Sequence, residues 1–113
     1  MAAPERKDFS SPDETQPFQG KGLWEVVQVG GRTVRRATLE PGWIWSVNVR
    51  PIVDTNSCQA SHLGFVLSGR MRVIMDDGPE MEVGIGDVFA IPRGHDAEVI
   101  GDEPCVLIEF GEI

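Results

Sequence analysis

The chain carries two histidines, His62 and His95, and two cysteines, Cys58 and Cys105. Cys58 and His62 are four residues apart, an even spacing that puts both on one side of a continuous strand. Together with His95 they offer a thiolate and two imidazoles, a set that suits Zn(II) or Cu better than Mg or Ca. Asp96 is placed to orient a histidine from behind. Each residue also has a plainer reading. Small free cysteines are commonly packed in cores. An interior histidine needs a hydrogen-bond partner whether or not it binds a metal. His95 and Asp96 fall in the polar segment 93–96, which reads as a loop. If Cys58 and His62 share a metal, the thiol must be deprotonated and the imidazole neutral. Affinity is then predicted to fall as pH drops through about 6.5.

Few other residues suggest chemistry. Trp43 and Trp45 share one strand face with Val47 and Val49. They read as core or subunit interface, or as the aromatic wall of a small-molecule pocket. Cys105 reads as core, and Glu98, Glu103 and Glu109 as exposed charges. There is no motif for a Ser–His–Asp arrangement and no glycine loop of the phosphate-cradling kind.

The elements must come from a short chain. Its 113 residues favour one domain. A net charge of −8, from 18 acidic and 10 basic residues, repels phosphate backbones, so nucleic acid is not an expected partner. No run of about 18 apolar residues is present, so no membrane span is expected. The first residues lack an apolar signal region, which predicts a cytoplasmic protein with both thiols reduced.

Residues 1–20 are polar, with only Phe9 and Phe18 as large apolar groups. They read as a flexible N-terminal tail, or else as an arm whose phenylalanines dock on the domain or on a second subunit. The domain is expected over 21–113. Short strands are predicted at 23–29, 32–39, 43–49, 58–67, 70–75, 80–83, 88–91, 98–100 and 105–110, with a loop at 51–57. No helical apolar period appears. Many short strands divided by Gly, Pro and Asp turns predict an all-β sandwich or barrel.

Two motifs make the chain resemble a known family. Gly64-Phe65-Val66-Leu67-Ser68-Gly69-Arg70 is similar to the "YVLSG" strand and turn of the cupin superfamily, and Gly86-Asp87-Val88-Phe89-Ala90-Ile91-Pro92 to its "PGD…IP" element. One acidic hairpin fills the space between them. The resemblance spans about residues 33–110. It implies a small, single-domain cupin of the double-stranded β-helix (jelly-roll-like) kind, frequently a homodimer. In the family, three histidines and a glutamate hold Fe, Mn, Ni, Zn or Cu. Here the ligand motif is degenerate. Counting back from Gly69 puts His62 at the glutamate position, Cys58 at the second histidine and Asn56 at the first. If 51–57 is an insertion, Ser46 and Asn48 take the two histidine places. Ala97 stands where the last histidine belongs, with His95 two positions early. The altered set Cys58, His62 and His95 remains for a metal. Cys58, His62, Trp43 and Trp45 remain for a small molecule in the barrel. The implied function is a cupin binding a small molecule, a metal ion or both. The alternatives are a metalloenzyme of oxygenase, isomerase or lyase type, or a barrel with a structural or protein-interaction role and no ligand.

Overall fold

A computed structural model describes residues 3–111 of the chain. The elements in order are β1 (Glu14–Pro17), β2 (Gly22–Val29), β3 (Arg32–Leu39), α1 (Trp45–Asn48), α2 (Arg50–Val53), β4 (His62–Ser68), β5 (Arg70–Met75), β6 (Glu80–Gly84), β7 (Val88–Ile91), β8 (His95–Ile100) and β9 (Cys105–Phe110). The strands form two antiparallel sheets, ordered β1-β2-β3-β9-β4-β7 and β6-β5-β8. This is the all-β barrel that the resemblance implied. Among the described residues no helix is long and apolar enough to cross a membrane.

Turn residues set where the strands end. Gly30 and Gly31, at φ 59° and 72°, give the left-handed pair that a two-residue hairpin needs to match strand twist. Gly69 has φ 76° where β4 passes into β5. Inward side chains of the two sheets meet in one core, with Val66, Val73 and Cys105 almost wholly shut off from solvent. The opposite parity of β4, β7 and β9 leaves an apolar outer face: Leu63, Leu67, Val88 and Phe110 are all exposed.

Two expectations need correction. The segment 43–49 is not a strand. Ile44 makes a single bridge to Glu98, and the chain then turns into α1. Asn48 closes that turn: its Oδ1 accepts from the Ile44 amide at 2.9 Å and its Nδ2 donates to the Gln19 carbonyl at 2.7 Å. Trp43, Trp45 and Val49 are buried, while Val47 is 59% exposed. The apolar spacing of Trp45 and Val49 fits one helical turn as well as it fits a strand face. The predicted loop 51–57 likewise opens with α2, where Pro51 sits in the first turn, a place that tolerates its missing N–H.

The polar N-terminal segment contributes to the sheet. β1 pairs along β2 from Glu14 opposite Val26 to Pro17 opposite Leu23. Phe18 is buried against Trp24 and Trp43, at ring distances of 5.6 and 6.0 Å. Met1 and Ala2 of the expected tail, and residues 112–113 of the expected domain, lie outside the described residues.

A side chain at Gly69 would be strained by its φ and would place Cβ 2.6 Å from the Cys105 Cα. Gly69→Ala is therefore expected to cost about 1–3 kcal/mol, read as a lower urea midpoint. An unchanged midpoint would contradict this account of the turn.

Candidate functional site

β4 opens with His62, and β8 opens with His95. Cys58 lies ahead of β4, in an isolated bridge to His95. Its amide donates to the His95 carbonyl at 2.7 Å, and its carbonyl accepts from the Gly94 amide at 2.7 Å. The backbone bridge, rather than a continuous strand from 58 to 67, brings Cys58 to the histidines. The Cys58 Sγ is 3.5 Å from the His62 Nε2. The two imidazole rings meet edge to face at 5.1 Å. Donor atoms of Cys58, His62 and His95 all lie within 4.8 Å of one another.

The far nitrogen of each ring is engaged. His95 Nδ1 is 2.8 Å from the Pro92 carbonyl oxygen, which can only accept, so Nδ1 carries the proton and Nε2 is free. His62 Nδ1 is 2.6 Å from the Glu109 Oε1. At that approach the carboxylate acts on the ring both as an acceptor and through its charge. It fixes the proton on Nδ1, because a carboxylate oxygen would repel a bare ring nitrogen. His62 Nε2 is left facing the thiol.

Burial is the largest influence on Cys58 and by itself would raise its pKa. Contacts with His62, His95 and the Ala60 amide outweigh it and bring the thiol from 9.0 down to about 6. Burial likewise opposes charge on His62, but the Cys58 thiolate and the Glu109 carboxylate overcome it and raise the imidazole from 6.5 to about 9. Without a metal, the pair is a thiolate and an imidazolium. Cys105 has no such neighbours, and burial pushes its thiol up to about 11.

The cluster forms part of the wall of a cavity of about 440 Å³, also lined by Phe18, Trp24, Arg35, Trp43, Trp45, Ala97 and Glu109. That volume lies within the range of small-molecule sites. Trp43 and Trp45 thus share one cavity with Cys58, His62 and His95.

Several neighbours differ from the sequence reading. His95 is buried, at 3% exposure, and begins a strand. Glu109 is buried instead of exposed, and it is the carboxylate that stands behind a histidine, a role the sequence offered to Asp96. The Asp96 Oδ1 accepts instead from the Ser46 and Ala97 amides, at 3.1 and 2.8 Å. Asn56 is exposed, and Asn48 is committed to α1. Neither register supplies a histidine for the family's first two ligand positions; the first offers Cys58 at the second of them and the other nothing. Sequence reasoning also missed Arg35 and Trp24. Strand parity carried the signal, since Arg35, Ala37 and Leu39 alternate on β3, as Cys105, Leu107 and Glu109 do on β9.

A family model described as "Cupin domain" matches residues 57–111, a span that holds Cys58, His62, His95 and Glu109. No curated protein matches the chain by sequence. Among solved structures, the polyketide cyclase RemF from Streptomyces resistomycificus is 18% identical with a TM-score of 0.65, over 95% of this chain and 78% of that one. A protein of unknown function from Acinetobacter sp. ADP1 is 16% identical with a TM-score of 0.61, over 88% of this chain and 90% of that one. A variant oxalate decarboxylase from B. subtilis is 18% identical with a TM-score of 0.64, over 99% of this chain but 30% of that one. These are likenesses of fold.

The two thiols are expected to titrate far apart. In metal-free protein, thiolate ultraviolet absorbance should show one step near pH 6 and another near 11, and Cys58→Ser should remove the lower one. Stability follows from the same values. The depressed thiol stabilises the fold above 9.0 and loses that effect as pH falls through about 6. The raised imidazole stabilises below 6.5 and loses its effect as pH rises through about 9. The ion pair therefore supports the fold between those two limits. A single thiolate step at the ordinary cysteine value would refute this.

Proposed function

The chain belongs to the cupin superfamily, and from that premise we propose that its barrel interior binds one transition-metal ion through Cys58, His62 and His95 and holds a small organic molecule beside it. The convergence of one thiol and two imidazoles on a common point in the wall of the 440 Å³ cavity carries the reading. Ligands held by one zinc at about 2.0–2.3 Å stand roughly 3.5 Å apart, and the Cys58–His62 separation is 3.5 Å. The donor chemistry fits too. Glu109 and the Pro92 carbonyl hold the Nδ1 protons, as the outer partners of metal-bound histidines commonly do. A thiolate with two neutral imidazoles favours Zn(II), Cu or Fe(II) over Mg or Ca.

Three protein ligands leave further coordination positions for the cavity, which favours a second reading as a metalloenzyme. A metal so bound would act as a Lewis acid on a ligand oxygen. The cavity walls would exclude water and orient the organic body, and Glu109 would hold the His62 ring in place. The size of the cavity argues against a purely structural barrel.

Tag-free protein purified without chelators is expected to hold close to one equivalent of metal by elemental analysis, or to take it up on addition of zinc. Cys58→Ser, His62→Ala and His95→Ala should each abolish stoichiometric binding. Failure to bind Zn, Cu, Fe, Mn or Ni, or binding that survives in Cys58→Ser, would rule the site out. The pH response sharpens the test. Zinc must displace the proton of an imidazole raised to about 9, so zinc affinity should keep rising with pH well above 6.5 and level off near 9. A plateau reached by neutral pH would contradict the raised imidazole that Cys58 and Glu109 together produce.

The apolar outer face on β4, β7 and β9 is the surface we assign to a second copy of the chain. Light scattering should give the dimer mass for the wild type and the monomer mass for Leu67→Glu combined with Val88→Glu. A wild-type monomer at micromolar concentration would remove this assignment.

A further inference from the structure

The barrel interior holds a cation that the metal cluster does not use. Arg35 projects from the middle of β3 into the cavity. Its Nε and Nη1 are shut off from solvent and have no hydrogen-bond partner among the described residues. Its guanidinium carbon lies 5.1 Å from the centre of the Trp24 ring, an arrangement that holds the planar group but satisfies no N–H. Glu109 is the Cα partner of Arg35 across β3 and β9, but its carboxylate is engaged by His62 at 2.6 Å. Leaving guanidinium N–H groups buried and unmatched is costly, so the site is complete only when an acceptor arrives.

Other unmet groups point to the same kind of ligand. Trp43 also lines the cavity, and its Nε1 is buried without a partner among the described residues. Arg35 and Trp43 offer only donors on these atoms. A ligand that satisfies them must be rich in acceptors. A carboxylate accepts only, and its two oxygens match an edge of a guanidinium. The rest of the wall is apolar and aromatic, from Phe18, Trp24 and Trp45.

We infer that the small molecule of this cavity is an aromatic or similarly flat apolar monocarboxylate, with its carboxylate on Arg35, its body along the tryptophans and its other end toward Cys58, His62 and His95. This deepens the reading of the barrel as a small-molecule site and rests on it. Arg35 is a specificity-determining residue here and takes no part in holding metal.

The test compares naphthoate with its neutral isostere naphthamide by calorimetry and tryptophan fluorescence, in both chelator-treated and zinc-loaded protein. Wild-type protein is expected to prefer naphthoate roughly tenfold to a hundredfold, the worth of a hydrogen-bonded charge. Arg35→Met should erase that preference, weakening naphthoate far more than naphthamide, whose carbonyl accepts from the guanidinium without an ion pair. Because the free guanidinium is unmatched, Arg35→Met should not lower the melting temperature of the ligand-free protein. Arg35→Lys keeps the charge without the planar fork and should retain only part of the preference, which gives a second readout if the methionine variant folds poorly. Equal binding of the two probes, binding of neither, or a preference that survives in Arg35→Met would overturn the inference. A naphthoate preference that appears only with zinc and is indifferent to Arg35 would place the carboxylate on the metal, refuting the Arg35 site while leaving the metal site intact. The reverse, an Arg35-dependent preference in protein that binds no zinc, would uphold the carboxylate site and refute the metal reading.

Discussion

A carboxylate inside a barrel wall needs a partner, and much of this site follows from where Glu109 finds one. β9 runs between β3 and β4, so its inward residue at 109 stands beside Arg35 on one side and near the start of β4 on the other. The carboxylate takes His62. That choice fixes the ring proton on Nδ1 and turns Nε2 toward Cys58. Among the described residues it also leaves Arg35 without an ion pair. Removing one member of a buried charged pair commonly costs about 3–5 kcal/mol, because the survivor stays uncompensated. Glu109, His62 and Cys58 therefore act as a chain of dependent charges.

The fold was largely legible because turn chemistry and strand length agree. The strands predicted at 32–39, 70–75, 88–91 and 105–110 end where the observed ones do. The segment 43–49 misled because two tryptophans and two valines at even spacing satisfy a strand pattern, while Asn48 supplies the tertiary hydrogen bonds that favour a helical turn. Composition was a poor guide at 14–18. Four polar or proline residues pair through backbone groups, which composition does not register, and a single phenylalanine reaches the core. At the site, residue types named Cys58, His62 and His95, but Glu109 was read as a surface charge. One carboxylate within the apolar β9 carries no sign of burial except its parity with Cys105 and Leu107.

The family's ligand positions have been put to other uses here. Ala97 is small and buried where a histidine would stand, and it leaves room in the cavity. Asn56 is exposed. What compensates is the short bridge between Cys58 and His95, which draws Cys58, from outside the strands, to the first residue of β8 and so onto His62. The bridge is made by backbone amides and carbonyls alone, so it leaves both side chains unused for the cluster. The replacement of harder ligands by a thiolate shifts the preferred ions toward softer ones.

Charge bookkeeping ties the proposed metal and the proposed ligand together. Without metal, the cavity wall carries the Cys58 thiolate and Glu109 against the His62 imidazolium and Arg35, and the formal sum is zero. A divalent ion that displaces the His62 proton raises that sum by one. In a low-dielectric, mostly aromatic cavity, an uncompensated positive charge is unfavourable. A monocarboxylate on Arg35 restores neutrality, whereas a dianion would overshoot and a neutral molecule would leave the excess. The same arithmetic makes metal and carboxylate support each other's binding, since each lowers the electrostatic cost of the other. With the proposed metal in place the wall of this barrel would thus be balanced for an anion of single charge, and without it for no net charge.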